Sequence, residues 1–225
     1  MSRHTDEEHM GRHEMLFHGE RIVAIVRAGD ARYLPGVVAT LIESGLRAIE
    51  LPLTTPGALD VLETLADRHR GEAILGVGTV LDAHAAEESI SAGAAFLVSP
   101  ALSSEVMKVG QRRNVPVVPG ALTPTEIIAC SEQGAAAVKL FPASLGGPAY
   151  LRALRAPLPH IPIVPTGGIG LDQVSAFLHE GAVAVGMGGP LIGDAAAGGS
   201  LSALSDRVSE LMDTVRQAVA AGAER

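Results

Sequence analysis

Several residue types are scarce in this chain of 225 residues, and each scarcity excludes a class of function. The chain has no tryptophan, 3% aromatic residues and a formal net charge of −8. Nucleic-acid binders need clustered cations for the phosphates and often aromatic rings for the bases. The composition therefore argues against a nucleic-acid partner. The same shortage of positive charge disfavours binding to an acidic membrane surface.

Cysteine occurs once, at Cys130, so no disulfide can form within the chain. Residues 1–20 are charged and His-rich and lack the apolar core of a secretory signal. We therefore expect a protein of the reducing cytoplasm. What the chain does contain, 47% hydrophobic residues with 26 Gly and 14 Pro, is typical of a compact globular domain.

Short apolar runs rich in β-branched residues recur along the chain, separated by segments with helical spacing. This is the pattern of parallel strands that are buried on both faces. Eight such runs predict a single (β/α)8 TIM barrel over residues 21–225, preceded by an N-terminal arm or short helix at residues 1–20. A doubly wound open sheet is the alternative, although the turn after the first run lacks its GxGxxG fingerprint. The runs are 22–26, 48–53, 73–79, 95–100, 115–120, 137–142, 161–168 and 182–188.

Residues that commonly begin or end helices agree with this division of the chain into strands and helices. The stretch from Thr123 to Glu126 is a predicted capping box with proline at the first helical position, and Thr55-Pro56 is predicted to open another helix in a similar way. Residues 201–221 are predicted to form an amphipathic final helix. Four glycines fall between a helical segment and a strand, where a left-handed residue commonly ends a helix, namely Gly45, Gly93, Gly134 and Gly181.

Lys139 is one of only two lysines, the other being Lys108, in a chain that otherwise uses arginine for its positive charge. It lies in the apolar run Ala-Val-Lys-Leu-Phe-Pro, where burial of an ammonium group is costly unless it is compensated. A lysine can lose its proton and act as an amine nucleophile, whereas arginine stays protonated. We interpret Lys139 as catalytic; the alternative is a structural lysine that is paired with a buried carboxylate.

Two further charged residues belong to the first two predicted strands, and the active site of such a barrel lies at the strands' carboxyl ends. Glu50 should point inward, which makes it a candidate proton carrier. It could also be the counter-ion of Lys139, and the two roles are compatible. Arg27 directly follows the first run, at the carboxyl end of the strand, where it could bind a carboxylate or form a surface ion pair.

Glycines follow the last two predicted strands, in Pro-Thr-Gly-Gly-Ile and Gly-Met-Gly-Gly-Pro. Such glycines let backbone N–H groups and a helix N-terminus approach a phosphate closely. We interpret Gly167, Gly168, Gly188 and Gly189 as a phosphate site, with ordinary tight turns as the alternative. No histidine is predicted at this face, so we expect no metal with imidazole ligands.

Seven short motifs occur in order along residues 21–191, each in or beside a predicted strand: Ile-Val-Ala-Ile-Val-Arg ending at Arg27, Ala-Ile-Glu-Leu with Glu50, Gly-Val-Gly-Thr-Val-Leu with Thr79, Val-Ser-Pro with Pro100, Val-Pro-Gly with Gly120, Val-Lys-Leu-Phe-Pro with Lys139, and Pro-Thr-Gly-Gly with Gly168. In order and placement they resemble the 2-keto-3-deoxy-6-phosphogluconate (KDPG) aldolase family, the class I pyruvate aldolases of the Entner–Doudoroff pathway.

The resemblance implies a lyase that cleaves KDPG to pyruvate and glyceraldehyde 3-phosphate through a Schiff base on Lys139, with no metal or cofactor. It implies that Glu50 shuttles protons and that the four glycines receive the phosphate. Related enzymes are commonly trimers, so a homotrimer is expected. The other implied contacts are Arg27 and Thr79 for the pyruvate carboxylate, and Phe141 and Pro100 for the pocket wall.

The chain departs from the family pattern at two positions. Some members carry an arginine four residues beyond the catalytic glutamate, where this chain has Thr54, so carboxylate binding is assigned to Arg27, and Thr54 is retained as a substrate contact. Many members have a serine where this chain has Gly189, which predicts weaker phosphate binding or a substrate without phosphate. The stretch Leu-Pro-Leu-Thr-Thr-Pro also resembles the galactonate-type relatives. The alternative substrates are therefore 2-keto-3-deoxy-6-phosphogalactonate (KDPGal) and 4-hydroxy-2-oxoglutarate (KHG).

Two other functions remain open at this point. A sugar-phosphate epimerase or isomerase is a neighbouring barrel activity, and inactivation by a chelator would favour it. A noncatalytic sugar-phosphate-binding module would bind the acid phosphate without releasing pyruvate. The absence of a serine at residue 189 is the observation that keeps this module in consideration.

Overall fold

The computed structural model describes residue 16 and residues 19–223, so the predicted arm at 1–20 lies outside the described residues except for 16, 19 and 20. Parallel strands in the described residues form two sheets, ordered β5-β4-β3-β2-β1-β9 and β6-β7-β8. The strands are β1 Ile22–Ile25, β2 Ala48–Pro52, β3 Ile74–Gly78, β4 Phe96–Val98, β5 Val117–Val118, β6 Gly120–Ala121, β7 Val138–Leu140, β8 Ile163–Pro165 and β9 Val185–Met187.

The predicted eight-stranded barrel is wrong. The fifth predicted run is divided at Pro119 into β5, which pairs with β4, and β6, which pairs with β7. Proline has no N–H to continue a strand ladder. Between β8 and β9 the structure has an isolated bridge, Thr166 to Gly186, in place of a ladder. The fold is therefore α/β with a six-stranded and a three-stranded parallel sheet, not one continuous eight-stranded sheet.

Helices alternate with the strands along the chain. The last one, α9, packs against α1 and α7 and buries Leu204, Val208 and Leu211, which confirms the predicted amphipathic final helix. In the described part of the chain, no helix has the length and apolar character needed to cross a bilayer. The helices are α1 Leu34–Glu43, α2 Ala58–Arg68, α3 Ala83–Ser91, α4 Ser104–Arg113, α5 Pro124–Glu132, α6 Gly147–Arg155, α7 Val174–His179, α8 Gly189–Ile192 and α9 Leu201–Ala223.

Most of the predicted helix boundaries are confirmed. The backbone N–H of Glu126 donates to Thr123 Oγ1, and the Glu126 carboxylate accepts the Thr123 N–H at 2.8 Å, so the capping box is present. The four predicted helix-ending glycines all have left-handed backbones, with φ between +79° and +98°. These signals are local in sequence, which is why they could be read without the fold.

The prediction for Thr55 is wrong. Helix α2 begins at Ala58, after Gly57, and no side chain caps it. The Thr55 hydroxyl instead accepts the backbone N–H of Ala28 at 3.0 Å. A bond to a residue 27 positions away left no local signal in the sequence.

Candidate active site

A cavity among the strands brings Lys139 and Glu50 together. Lys139 is the middle residue of β7 and Glu50 the middle residue of β2, so the two sheets contribute one each. Both are buried, with 8% and 3% of their surface exposed. No ion pair within 4.0 Å joins them in the described structure, so the amine and the carboxylate share the cavity without a direct contact. The other lining residues are Val23, Phe96, Val98, Val118, Val164, Thr166 and Gly186.

The surroundings of Glu50 change its acidity. Burial raises the pKa of the Glu50 carboxyl above its ordinary value, while the positive charges of Lys139 and then Arg27 act in the opposite direction. Burial is the largest of these effects. A raised pKa brings a carboxyl closer to the range in which it can both take up and release a proton near neutral pH.

The amine of Lys139 lies beside an aromatic ring. Its Nζ is 5.2 Å from the centroid of the Phe141 ring, a distance typical of a cation–π contact. The Phe141 ring also packs on Gly167, where a Cβ would lie 2.9 Å from Cε2. Phe141 is 38% exposed. It therefore lies between Lys139 and the glycine turn that follows β8.

Thr166 lines the same cavity, although the sequence pattern predicted no role for it. It directly follows β8, is 4% exposed, and its hydroxyl donates to Val164 O at 3.3 Å. Gly186 provides the space for it, because a Cβ there would lie 2.3 Å from Thr166 Oγ1. The available signal was its position immediately before the two glycines of the predicted phosphate site.

Four predicted contact residues lie beyond the carboxyl ends of β1–β4 and not in the cavity lining. Arg27 is exposed, and its charge lowers the pKa of Glu50. Thr79 is half-buried with φ of +60°, a left-handed backbone that is rare for a β-branched residue and that occurs preferentially at functional sites. Pro100 is half-buried and Thr54 is exposed.

The glycines after β8 and β9 present free donors. Gly167 and Gly168 have left-handed backbones, with φ of +94° and +69°. The N–H groups of Gly167, Gly168 and Gly188 form no hydrogen bond with any described residue. Residue 189 is exposed, and a Cβ built on it has nothing within 4 Å.

Ser144 is a second residue that the sequence did not indicate. It belongs to the short helical turn Ala143–Leu145 after β7, and its backbone N–H donates to Gly167 O at 3.1 Å. Its hydroxyl lies against Gly168, 2.8 Å from where a Cβ on that glycine would be. The hydroxyl has no partner among the described residues. The glycine turn thus has a side-chain donor next to its backbone donors.

Other reactive side chains lie elsewhere in the molecule. Cys130 is buried, and burial raises the pKa of its thiol to about 11, which keeps it protonated and unreactive. None of the described histidines lines the cavity. Over the described residues there is also no group of three or more His, Cys, Asp or Glu side chains that could hold a metal ion.

Comparison with known proteins identifies the family. A family model described as KDPG and KHG aldolase matches residues 14–200. The chain is 33% identical over 171 residues to the probable 2-dehydro-3-deoxy-6-phosphogalactonate aldolase of Rhizobium meliloti, covering 76% of this chain and 81% of that one. It is also 33% identical over 177 residues to the 2-dehydro-3-deoxy-phosphogluconate aldolase of Pseudomonas aeruginosa, covering 78% and 80%.

Solved structures agree. A structure described as native KDPGal superposes with a TM-score of 0.83 at 29% identity, covering 88% of this chain and 95% of its own. The predicted resemblance and the predicted class of enzyme, a lyase, are confirmed. The chain belongs to the KDPG/KHG aldolase family.

Proposed function

We propose that this aldolase cleaves KDPG to pyruvate and glyceraldehyde 3-phosphate through a Schiff base on Lys139. The observation that carries the proposal is the pair formed by a buried lysine and a buried glutamate, which share one cavity without an ion pair between them. An amine in this setting can attack a ketone, and a carboxyl with a raised pKa can move the protons.

The reaction begins when the neutral amine of Lys139 attacks the C2 ketone, which forms a carbinolamine. The carbinolamine hydroxyl takes up a proton from solvent and leaves as water, which forms an iminium ion. The ionised Glu50 carboxylate takes the proton of the C4 hydroxyl, and the C3–C4 bond breaks. Its electrons pass to the iminium and form an enamine, while the aldehyde leaves. The protonated Glu50 then returns a proton to C3, and water hydrolyses the new iminium to release pyruvate, the free amine and the proton taken up from solvent.

The substrate carboxylate is assigned to Arg27 and Thr79. Arg27 offers a guanidinium that can bind a carboxylate in bidentate fashion, and its charge already acts on Glu50. Phe141 and Pro100 are assigned to the pocket wall and Thr54 to a contact at its rim. An anionic substrate does not require a basic protein, because Arg27 and Lys139 supply positive charge locally within a chain of net charge −8.

The phosphate is assigned to the turn at Gly167 and Gly168 and to Gly188 and Gly189. Backbone N–H groups without a protein partner are suited to an anion, and glycine allows close approach. The Ser144 hydroxyl beside Gly168 supplies the side-chain donor that is missing at residue 189.

KDPGal and KHG are the alternative substrates, because one relative named as a KDPGal aldolase and one named as a KHG/KDPG aldolase each match at 30% identity. Thr166 Oγ1 is a polar side-chain atom in the cavity with Lys139 and Glu50, so we assign it to the C4 hydroxyl, whose configuration distinguishes KDPG from KDPGal. Steady-state kinetics on the three compounds, compared by kcat/KM, decide among them. A homotrimer and a cytoplasmic location are retained as predictions.

Borohydride trapping tests the proposal. Reduction in the presence of pyruvate should fix a pyruvate adduct on Lys139, which mass spectrometry of the peptides locates. The chain offers a matched control, because Lys108 is the other lysine and is exposed on α4. K139R should abolish the adduct and the activity, whereas K108R should leave both unchanged. An unmodified Lys139 would contradict the mechanism, and substrate binding without pyruvate release would indicate a binding module.

A further inference from the structure

We infer that Thr55 is a positioning residue, whose hydroxyl holds Arg27 where the guanidinium meets the substrate carboxylate. The inference rests on the proposed function, which assigns that carboxylate to Arg27. Thr55 itself is not among the residues that line the cavity. Its effect is transmitted through the backbone that carries Arg27.

The hydrogen bond from Ala28 to Thr55 is buried at both ends. Thr55 is 1% exposed and Ala28 is 6% exposed, and the Ala28 N–H donates to Thr55 Oγ1 at 3.0 Å. This N–H belongs to the peptide group that joins Arg27 to Ala28. The bond therefore fixes the peptide plane attached directly to the Arg27 Cα.

A second hydrogen bond holds the chain one peptide group before Arg27. The N–H of Val26 donates to the carbonyl of Glu50 at 2.9 Å. Both acceptors belong to the segment formed by β2 and its following loop. The chain is thus bonded at the peptide groups before Val26 and after Arg27 to the segment that carries the proposed proton carrier, Glu50.

Thr55 is itself held in a defined turn. Its N–H donates to Pro52 O at 2.9 Å, and its carbonyl accepts the N–H of Ala58 at 3.2 Å. The hydroxyl does not cap α2, which begins without a side-chain cap. The role of this hydroxyl that the structure reveals is therefore the bond to the loop of Arg27. Valine in its place would leave a buried N–H without an acceptor, which favours movement of that loop.

Exchange of the pyruvate methyl protons in D2O isolates the step that concerns Arg27. The enamine forms and reverts on pyruvate alone, so the assay needs the carboxylate contact but neither the phosphate nor a C4 hydroxyl. We expect T55V to raise the KM for pyruvate about fivefold to tenfold, with kcat changed less than about twofold, because displaced Arg27 weakens binding more than chemistry. T55S, which keeps the hydroxyl, should restore the KM.

Thr40→Val is the matched control, since it removes another threonine hydroxyl, one that donates to Gly36 O at 2.9 Å within α1. It should leave the KM for pyruvate unchanged. Circular dichroism establishes that each variant is folded. If T55V does not fold, T55A replaces it in every comparison.

A double-mutant cycle separates positioning of Arg27 from a general structural role. R27A alone should raise the KM, and adding T55V to R27A should raise it no further. If T55V raised the KM for pyruvate equally with and without Arg27, the role of Thr55 alone would be overturned. The same conclusion would follow if R27A raised the KM and T55V did not. An unchanged KM in R27A would overturn both the assignment of the substrate carboxylate to Arg27 and this inference. Absence of pyruvate proton exchange in the unmodified enzyme would overturn the proposed function itself.

Discussion

The carboxylate of Glu50 occupies the space that a side chain on residue 78 would need. A Cβ built on Gly78 would lie 1.8 Å from Glu50 Oε1 and 2.4 Å from its Cδ. Gly78 is the last residue of β3, which pairs with β2 along its whole length. Glycine at this position therefore allows a glutamate in the middle of the neighbouring strand to turn its carboxylate into the cavity.

Gly78→Ala should consequently inactivate the enzyme. The methyl group forces the Glu50 carboxylate out of its position. Loss of a positioned proton carrier, which is the role proposed for Glu50, costs about 10²-fold or more in kcat. Gly36→Ala is the matched control, because a Cβ there meets Leu201 Cδ1 at an ordinary 3.4 Å. Steady-state kinetics measure the effect, and circular dichroism establishes folding. A folded G78A enzyme with unchanged kcat would contradict the role given to Glu50.

The repeating strands and helices were predictable because their signals are local. The four left-handed glycines and the capping box at Thr123 depend on neighbours within a few residues. The pairing of the strands was not predictable in the same way. Pro119, which has no N–H, divides one apolar run between two sheets. The spacing of apolar residues does not indicate where such a division falls.

The same distinction applies to the site. Lys139 and Glu50 were identifiable because a charged residue within an apolar strand is conspicuous in sequence. Thr166, Ser144 and Thr55 were not, because ordinary hydroxyl residues acquire their roles only from partners distant in sequence. The roles given to these residues are predictions, and each is tested by its own kinetic or trapping experiment.

The acidity of Glu50 predicts the pH dependence of the enzyme. In the proposed mechanism the Glu50 carboxyl must be ionised to accept the C4 hydroxyl proton, and burial raises its pKa above the ordinary 4.5. As pH falls through this raised pKa, kcat/KM should fall, so the acid limb should lie above pH 4.5. Because the charge of Arg27 lowers this pKa, R27A should move the limb to higher pH.

Arg32→Ala is the control for the pH profile. Arg32 belongs to the same loop but pairs with Asp30 at 3.3 Å, and its charge is not among those that act on Glu50. The acid limb should therefore keep its position in R32A. If the acid limb did not move in R27A, the Arg27 guanidinium would be too far from the Glu50 carboxyl to act on it. The assignment of the substrate carboxylate to Arg27 would then be contradicted.

Ser144→Ala should weaken binding of the phosphate without affecting the chemistry on pyruvate. Loss of one hydroxyl donor to an anion predicts an increase of about threefold to tenfold in the KM for KDPG. Pyruvate proton exchange should be unchanged, since it does not use the phosphate. Ser104→Ala, at an exposed serine on α4, is the control. Equal KM values for KDPG in S144A and the unmodified enzyme would remove Ser144 from the phosphate site.

Gly189→Ser tests the same site from the opposite direction. The position is exposed and a Cβ has nothing within 4 Å, so a serine fits without displacing a neighbour. An added hydroxyl beside the phosphate should lower the KM for KDPG about twofold to fivefold and leave KHG, which carries no phosphate, unaffected. The comparison of the two substrates is the internal control. An effect of the same size on both would place residue 189 away from the phosphate.

Thr123→Ala should reduce stability through the capping box of α5. Loss of the cap costs about 1 kcal/mol in the free energy of unfolding, measured by denaturant titration near neutral pH. Hydrogen bonds from the Thr123 and Leu122 N–H groups and from the Thr123 hydroxyl hold the pKa of Glu126 below its usual range. The resulting stabilisation is present above the ordinary glutamate pKa and is lost as pH falls through the lowered one.

The difference in unfolding free energy between the unmodified enzyme and T123A should therefore shrink on acidification. Thr125→Ala is the control, because Thr125 is exposed in the same first turn and makes no capping bond. It should leave both the stability and its pH dependence nearly unchanged. If the cost of T123A were the same at pH 7 and at a pH below the Glu126 pKa, the Thr123 hydroxyl would act only as the acceptor of the Glu126 N–H and not as a donor to the Glu126 carboxylate.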